Sequence, residues 1–316
     1  MGLIVICGPT GSGKTALALQ LAKKLNGAII SADSRQIYRE ADIGTNKAPP
    51  KESKVEKGDG YWLQEGIKIY LYNLCSPAEN FSVAQFTAAA AQAYKEIIRE
   101  GKLPFLVGGT GFYLQAFLGE VGFANLAPDW EQRKRLKSQP IIELQKKLAQ
   151  YDPVFVQRLN RSDRNNPQRL LRYLELARAY GRVEKGFSFF RPPWKKEKII
   201  KIGLTAPRSF LYQRADQWTA TIIKSGLLEE TQLLWEKYGD KIPLLQGLIY
   251  RPAQEFLKGQ ISQLEMEEKI KYQLHSYIRR QLYWFQRDPE INWFNIAQTH
   301  WAEEFKNWTA ILPLIL

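Results

Sequence analysis

The chain of 316 residues, 45% of them hydrophobic, is long enough for one large domain or two smaller ones around a well-packed core. Its two cysteines, Cys7 and Cys75, exclude a disulfide framework and read as reduced core thiols, while its two histidines, His275 and His300, argue against histidine triads or zinc chemistry. The formal net charge of +13 exceeds what an enzyme of small metabolites needs and points to a polyanionic partner.

Residues 3–7, Leu-Ile-Val-Ile-Cys, form an apolar run of strand length with no basic leader before it. A glycine-rich loop follows, then a helix from Lys14 to about Leu25. Residues 28–31 are a second strand leading to Asp33. Residues 48–60 are polar and turn-rich and read as a loop, and Gly66–Leu74 alternates as a strand. Ser82 is placed to N-cap the next helix, with Phe81 stapling back onto it, and Gly101 closes that helix. Residues 102–107 are a buried strand before a second glycine turn, Gly108-Gly109-Thr110-Gly111.

From Trp130 to about Gly186 the pattern turns helical, with Leu144, Leu148 and Tyr151 on one face and Leu170, Leu171, Leu174 and Ala177 on another. Residues 199–204 restore a strand, and 210–287 are mainly helical. The tail at 310–316 is apolar but too short to span a bilayer. The expected fold is therefore α/β, a P-loop parallel sheet flanked by helices, with a helical insertion and a helical C-terminal region. Residues 1–125 form the first part of the core, 126–195 the basic insertion, and 196–316 the return to the core. The expected protein is soluble and cytoplasmic, a monomer with no membrane partner.

The positive charge is localised. Residues 127–201 carry 19 Lys and Arg against 8 Asp and Glu. A solvated helical face would explain scattered charge; concentration in one stretch favours a nucleic-acid surface.

Gly8-Pro9-Thr10-Gly11-Ser12-Gly13-Lys14-Thr15 matches G-x-x-x-x-G-K-[ST] between a strand and a helix, the context that gives the motif meaning. Its backbone N–H groups and the helix N-terminus suit phosphate oxygens, Lys14 supplies a cation, and the Thr15 hydroxyl suits Mg²⁺. The loop does not say what carries the phosphate. Asp33, at the carboxyl end of the second strand, is either an N-cap or a general base or metal partner. Thr110 sits in a turn on the same sheet edge, either as a tight connection or as a substrate contact. Arg214 follows the returning strand, either solvated or aimed at phosphate. Residues 277–287 interleave Arg279, Arg280 and Arg287 with Tyr277, Tyr283, Trp284 and Phe285, a pattern that suits unpaired RNA as well as a helix core face.

In order and spacing these pieces resemble the tRNA dimethylallyltransferase (tRNA isopentenyltransferase) family over almost the whole chain. The resemblance runs through 8–15, 31–38, 42–45, 81–84, 107–113, 166–169, the Arg214 region with Gly226-Leu227, and 279–285. It implies magnesium-dependent transfer of a dimethylallyl group from dimethylallyl diphosphate to N6 of the adenosine on the 3′ side of the anticodon. It makes Asp33, Thr110 and Arg214 catalytic and gives residues 8–15 the diphosphate, with Thr15 at the metal. Asp33, Ser34, Arg35, Gln36, Thr110, Asn166, Pro167, Gln168, Arg169, Leu170, Arg279 and Arg280 become contacts to the tRNA anticodon stem-loop. The sequence departs from the family pattern at Asn166 (usually Asp), Ile249 (usually Gly), Trp218 (commonly a second arginine), and at Tyr70 and Tyr72, near where two histidines are usual. A P-loop kinase or a prenyltransferase of free adenine nucleotides would use the same loop but would not need the basic insertion; a diverged tRNA-binding homologue would not need Asp33, Lys14 and Arg214.

Overall fold

Leu3–Cys7 (β1) is buried at every position, which a strand tolerates only where both sheet faces are covered. In the computed structural model β1 lies inside an eight-stranded sheet of order β10-β9-β1-β6-β2-β5-β4-β3, where β2 is Gly27–Ser31, β3 Val55–Gly58, β4 Tyr61–Gln64, β5 Ile67–Tyr70, β6 Leu103–Gly108, β9 Ile199–Thr205 and β10 Ile291–Asn295. Strands β10 to β5 in that order are parallel, and β4 and β3 run antiparallel at the edge. The structure describes residues 2–49, 53–123, 126, 128–183, 188–189, 192, 194, 197–310 and 312. Residues 50–52 of the expected loop, Gly186 at the end of the helical stretch, and 311 and 313–316 of the apolar tail lie outside the described residues.

The chain divides into two compact units, Met1–Leu114 with Pro193–Leu316, and Gln115–Pro192. In the first, α1 (Lys14–Lys24) buries Leu17, Ala18, Leu21 and Ala22, an amphipathic stripe at helical spacing. α2 (Val83–Arg99) starts at a capping box: the Ser82 hydroxyl accepts from Gln85 N–H, and the Gln85 side chain accepts from Ser82 N–H. Phe81 packs against the core beside it. α3 (Gly111–Leu118) opens from the second glycine turn. Beyond β9, α9 (Arg208–Lys224), α10 (Leu227–Tyr238), α11 (Tyr250–Leu257), α12 (Gln263–Phe285) and α13 (Trp301–Thr309) complete the unit. Both cysteines are buried and unpaired, as expected.

Strand assignments in the large sheet differ from the sequence reading at four places, one of them Tyr61–Gln64, a strand not foreseen. Val55–Gly58, expected as loop, is an edge strand with Lys57 opposite Trp62 in the register. Its polar composition hid it, because an edge strand is held by the backbone ladder and is commonly guarded by charge; the Lys57 ammonium lies 4.7 Å above the Trp62 ring. The strand expected over Gly66–Leu74 stops at Tyr70, because Leu71 and Asn73 take φ values of 71° and 58° and turn the chain. Ile291–Asn295, not foreseen, adds a sixth parallel strand against β9; buried Lys201 on β9 pairs with Asp288 at 2.8 Å just before it.

The second unit holds β7 (Gly122–Phe123) paired with β8 (Ser188–Phe189), and the helices α4 (Trp130–Leu136), α5 (Ile141–Tyr151), α6 (Pro153–Arg158), α7 (Arg161–Arg164) and α8 (Pro167–Tyr180). Leu144, Leu148, Leu159, Leu170, Leu171, Leu174, Leu176, Ala177 and Val183 are its core. Tyr151, expected beside Leu144 and Leu148, is exposed instead. Glu175, only 4% exposed, accepts from Arg133 Nε at 2.6 Å, Arg172 Nη1 at 2.7 Å and Asp129 N–H at 3.1 Å. Breaking a buried ion pair from one side strands the partner charges. Glu175→Ala should therefore lower the unfolding free energy of this unit by about 3 kcal/mol, the modest end of such losses because both guanidiniums keep some water contact. Denaturant unfolding read by hydrogen exchange across α8 measures it.

Candidate active site at the carboxyl edge of the sheet

The parallel strands β1, β2 and β6 end side by side, with Cys7 opposite Gly108 and Ser31 opposite Val107 in the ladders. The loops that follow them therefore open on one edge, where ligands bind in open α/β sheets. The first loop, 8–13, makes its turn with Gly8, Gly11 and Gly13 at φ of 140°, 81° and 85°. Gly8 is also sterically required, since a Cβ there would lie 2.3 Å from the Leu204 carbonyl oxygen on β9. Gly13 caps α1 without a side-chain bond and no acidic residue occupies the first turn, so the helix N-terminus presents N–H groups and its partial positive charge. The Ser12 hydroxyl is buried and has no hydrogen-bond partner among the described residues.

Lys14 Nζ donates to the Pro9 carbonyl at 2.8 Å, folded back over the loop. Burial pulls its ammonium down from 10.5 to about 8, and the attraction of Asp33 opposes that fall. Asp33 is not a helix N-cap: its Oδ1 accepts from Arg35 N–H at 2.8 Å, closing an Asx turn. Among the described residues its Oδ2 has no hydrogen-bond partner. Thr110 Oγ1 accepts from Ser34 N–H at 3.2 Å, tying the third loop to the second. Tyr277 lies close to Thr110, and burial pushes its phenol up to about 12. Arg214, exposed on α9, has its Cβ 3.7 Å from where a Cβ on Gly11 would stand.

The structure thus brings the loop 8–15, Asp33, Ser34, Arg35, Thr110 and Arg214 to one edge. Arg279 and Arg280 lie on α12: Arg279 donates to the Tyr212 hydroxyl at 3.2 Å, and Arg280 lies 5.7 Å from the Tyr277 ring centroid. Gln36 is buried, its carboxamide accepting from the Ser31 hydroxyl at 2.9 Å and donating to the Thr45 carbonyl at 3.2 Å, so it braces the loop behind the edge. Asn166, Pro167, Gln168, Arg169 and Leu170 belong to the second unit. Asn166 caps α8, accepting from Gln168 and Arg169 N–H, and Arg169 pairs with Asp163. Leu170 is corrected: its side chain is 0% exposed in the core of that unit, so it cannot offer a contact to RNA. Among the described residues no group of three His, Cys, Asp or Glu side chains could hold a metal ion.

Residues 36–288 match the model of the IPP transferase family. The tRNA dimethylallyltransferase of Synechococcus elongatus is 36% identical over 304 residues, covering 96% of this chain and 93% of the relative. The chain belongs to the IPP transferase family. Solved structures of tRNA isopentenylpyrophosphate transferases from Staphylococcus epidermidis (30% identical, TM-score 0.68, 99% of each chain) and Bacillus halodurans (31%, TM-score 0.65, 93% of this chain and 89% of that one) share its fold.

Where this family member departs from the pattern, the structure shows packing. Ile249 is buried in the main core, and Trp218 packs against it. Tyr72 meets Trp62 edge-on at 5.4 Å, and the Tyr70 hydroxyl bonds Glu96 at 2.9 Å. Sequence reasoning missed two polar anchors. Glu230 accepts from Asp42, Ile43 and Gly44 N–H at 2.7–2.9 Å and from the Tyr250 hydroxyl at 2.7 Å, fixing the turn behind Gln36. Gln281 touches two of the edge loops, and a lone glutamine in a helix carries no signal that would have singled it out.

An anion binds the protonated form of Lys14. Inorganic pyrophosphate should therefore bind with roughly constant affinity below pH 8 and ever more weakly above it, taking up a proton as it binds. Titration calorimetry from pH 6.5 to 9.5 checks this, and Lys14→Met should bind weakly with that pH dependence removed.

Proposed function

We propose that this chain transfers the dimethylallyl group of dimethylallyl diphosphate to N6 of the adenosine beside the anticodon of tRNA, on its 3′ side. The observation that carries the reading is the meeting, on one sheet edge, of a phosphate-type loop holding a desolvated lysine with an Asx-turned carboxylate whose Oδ2 is open. Membership of the IPP transferase family and the names of its relatives supply the substrates.

An exocyclic aromatic amine is a poor nucleophile, because its lone pair is delocalised into the ring. In the proposed step that lone pair attacks the allylic carbon bonded to the diphosphate oxygen. The carbon–oxygen bond breaks, its electron pair leaves on the diphosphate, and Asp33 Oδ2 takes the N6 proton. The backbone N–H groups at the start of α1, Lys14 and Arg214 meet the charge growing on the leaving group. Thr110 and Ser34, already bonded to each other, offer hydroxyls to the acceptor side.

Mg²⁺ fits this edge only as a partner of the substrate, since Thr15 offers one hydroxyl and among the described residues no carboxylate cluster accompanies it. It would be held by Thr15 together with the diphosphate and water, and would supply charge neutralisation to the departing diphosphate.

In the second unit Lys134, Arg135, Lys137, Arg161, Arg164, Arg169 and Arg178 are exposed, in keeping with a surface for the tRNA backbone. No helix among the described residues is long and apolar enough to cross a membrane, which accords with work on cytoplasmic tRNA.

Purified protein with Mg²⁺ and labelled dimethylallyl diphosphate should label tRNA and not AMP or ATP; transfer to the free nucleotides alone overturns the assignment. Asp33→Asn should lower kcat by about 10²–10⁴-fold with tRNA binding retained, measured by single-turnover transfer and filter binding.

A further inference from the structure

Three residues of α12 at helical spacing, Tyr277, Gln281 and Trp284, face three consecutive residues of the second glycine turn. Tyr277 lies close to Thr110. Gln281 Nε2 donates to the Gly109 carbonyl at 2.9 Å. Trp284 lies so close to Gly111 that a Cβ there would stand 2.2 Å from its ring.

Gln281 does more than pack. Its Oε1 accepts from Thr10 N–H at 2.9 Å, inside the phosphate-type loop. One buried carboxamide therefore joins the loop after β1 to the turn after β6, accepting from the first and donating to the second. A carboxamide offers a donor and an acceptor from one rigid planar group without titrating, and the shorter Asn would reach less far. The strand ladders fix Cys7 opposite Gly108, but beyond those residues the two loops are joined by no backbone hydrogen bond among the described residues. Thr10 N–H is thereby committed to Gln281, and the bond holds the loop in which the N–H groups at the start of α1 stay open to a diphosphate.

We propose that Gln281 is a positioning residue: it sets the spacing between the loop that takes the diphosphate and the turn that takes the acceptor, and transmits order from one to the other. The inference rests on the transfer reaction proposed above. Two substrates held on separate loops react only when the attacking and receiving atoms meet in line, and a misplacement of about 1 Å can cost about 10²-fold in rate. Removing the bridge thus leaves each substrate its own contacts and removes their alignment.

The test compares wild type with Gln281→Leu, which keeps the shape and loses both bonds, and Gly109→Ala, whose added Cβ would fall 2.3 Å from Gln281 Nε2 and push the carboxamide aside. In Gln281→Leu, kcat should fall about 10–100-fold while KM for dimethylallyl diphosphate and for tRNA each stay within about threefold. Gly109→Ala should fall in the same direction, and the double variant should be no slower than Gln281→Leu, because both changes act on one bridge. An unchanged kcat in folded Gln281→Leu overturns the proposal, as does a double variant whose loss is the product of the single losses. If Gln281→Leu does not fold, Gly109→Ala decides in the same way.

A second arm needs no turnover. Inorganic pyrophosphate should slow hydrogen exchange over 108–113 in wild type and not in Gln281→Leu, or, should that variant not fold, in Gly109→Ala. Equal protection in wild type and variant, or none in either, overturns the coupling. Should wild type transfer nothing to tRNA, the reaction assigned above fails, while the exchange measurement still decides whether Gln281 couples the two loops.

Discussion

The arrangement depends on β1 being paired on both sides by parallel strands. Cys7 faces Gly108, the last residue of β6, and Gly203 on β9, which runs on through Leu204 and Thr205 beside the loop that leaves β1. The approach of β9 leaves no room for a side chain at Gly8, and the backbone there must take a φ that only glycine accepts readily. The phosphate-type loop is thus a steric consequence of the sheet as much as a chemical device. The same pairing carries α9, which follows β9, past that loop, and this is how Arg214 arrives beside Gly11 from 200 residues away in the chain.

Much of this was legible in the sequence because it is written in local pattern. The apolar runs at 3–7, 28–31, 102–107 and 199–204 mark parallel strands buried on both faces, and Ser82 with Gln85 marks a helix start. Asp33, Ser34, Arg35 and Thr110 were legible too, since each lies in the turn just beyond such a strand. What escaped was held by backbone or by distance. Val55–Gly58 is a strand through its ladder alone, and Leu71 turns the chain by a dihedral that no alternating pattern reveals. Leu170 was misplaced among RNA contacts because it sits inside a motif, although its own helical spacing with Leu171 and Leu174 already pointed to the core. Glu230 and Gln281 act across 186–188 and 172–271 residues of chain, and single-sequence patterns carry no such information.

The scarcity of histidine has a structural counterpart. His275 is stacked on Tyr212 at 4.0 Å and its Nε2 lies 2.8 Å from Asp216 Oδ1, so it serves the packing of α9 against α12 rather than the edge. The edge instead carries a cation whose desolvation is tolerated in the free protein. At Lys14 the fold holds fewer protons than the unfolded chain between about pH 8 and 10.5, so the group weakens the fold below that window and the penalty fades as pH rises through it. A fold retains such a group where a later charge compensates it, and in the proposed reaction the arriving diphosphate would be that charge. Desolvation then works for binding, because the attraction acts in a medium poorer in water.

Strand ladders locate Cα atoms but not loop tips, and the chemistry lies at the tips. After β1, β2 and β6 the chain still needs side chains to hold its loops against one another. Thr110 supplies one link, to Ser34; another, Gln281, comes from α12, near the far end of the chain. The first 114 residues contain the phosphate-type loop, Asp33 and Thr110, yet they form one compact unit only together with residues 193–316. The positively charged insertion can vary its surface without disturbing the loops, whereas α12 can change little on the face that carries Tyr277, Gln281 and Trp284. That asymmetry follows from geometry: the insertion carries its exposed charges on a core of its own, whereas α12 packs side chains against consecutive positions of the turn after β6.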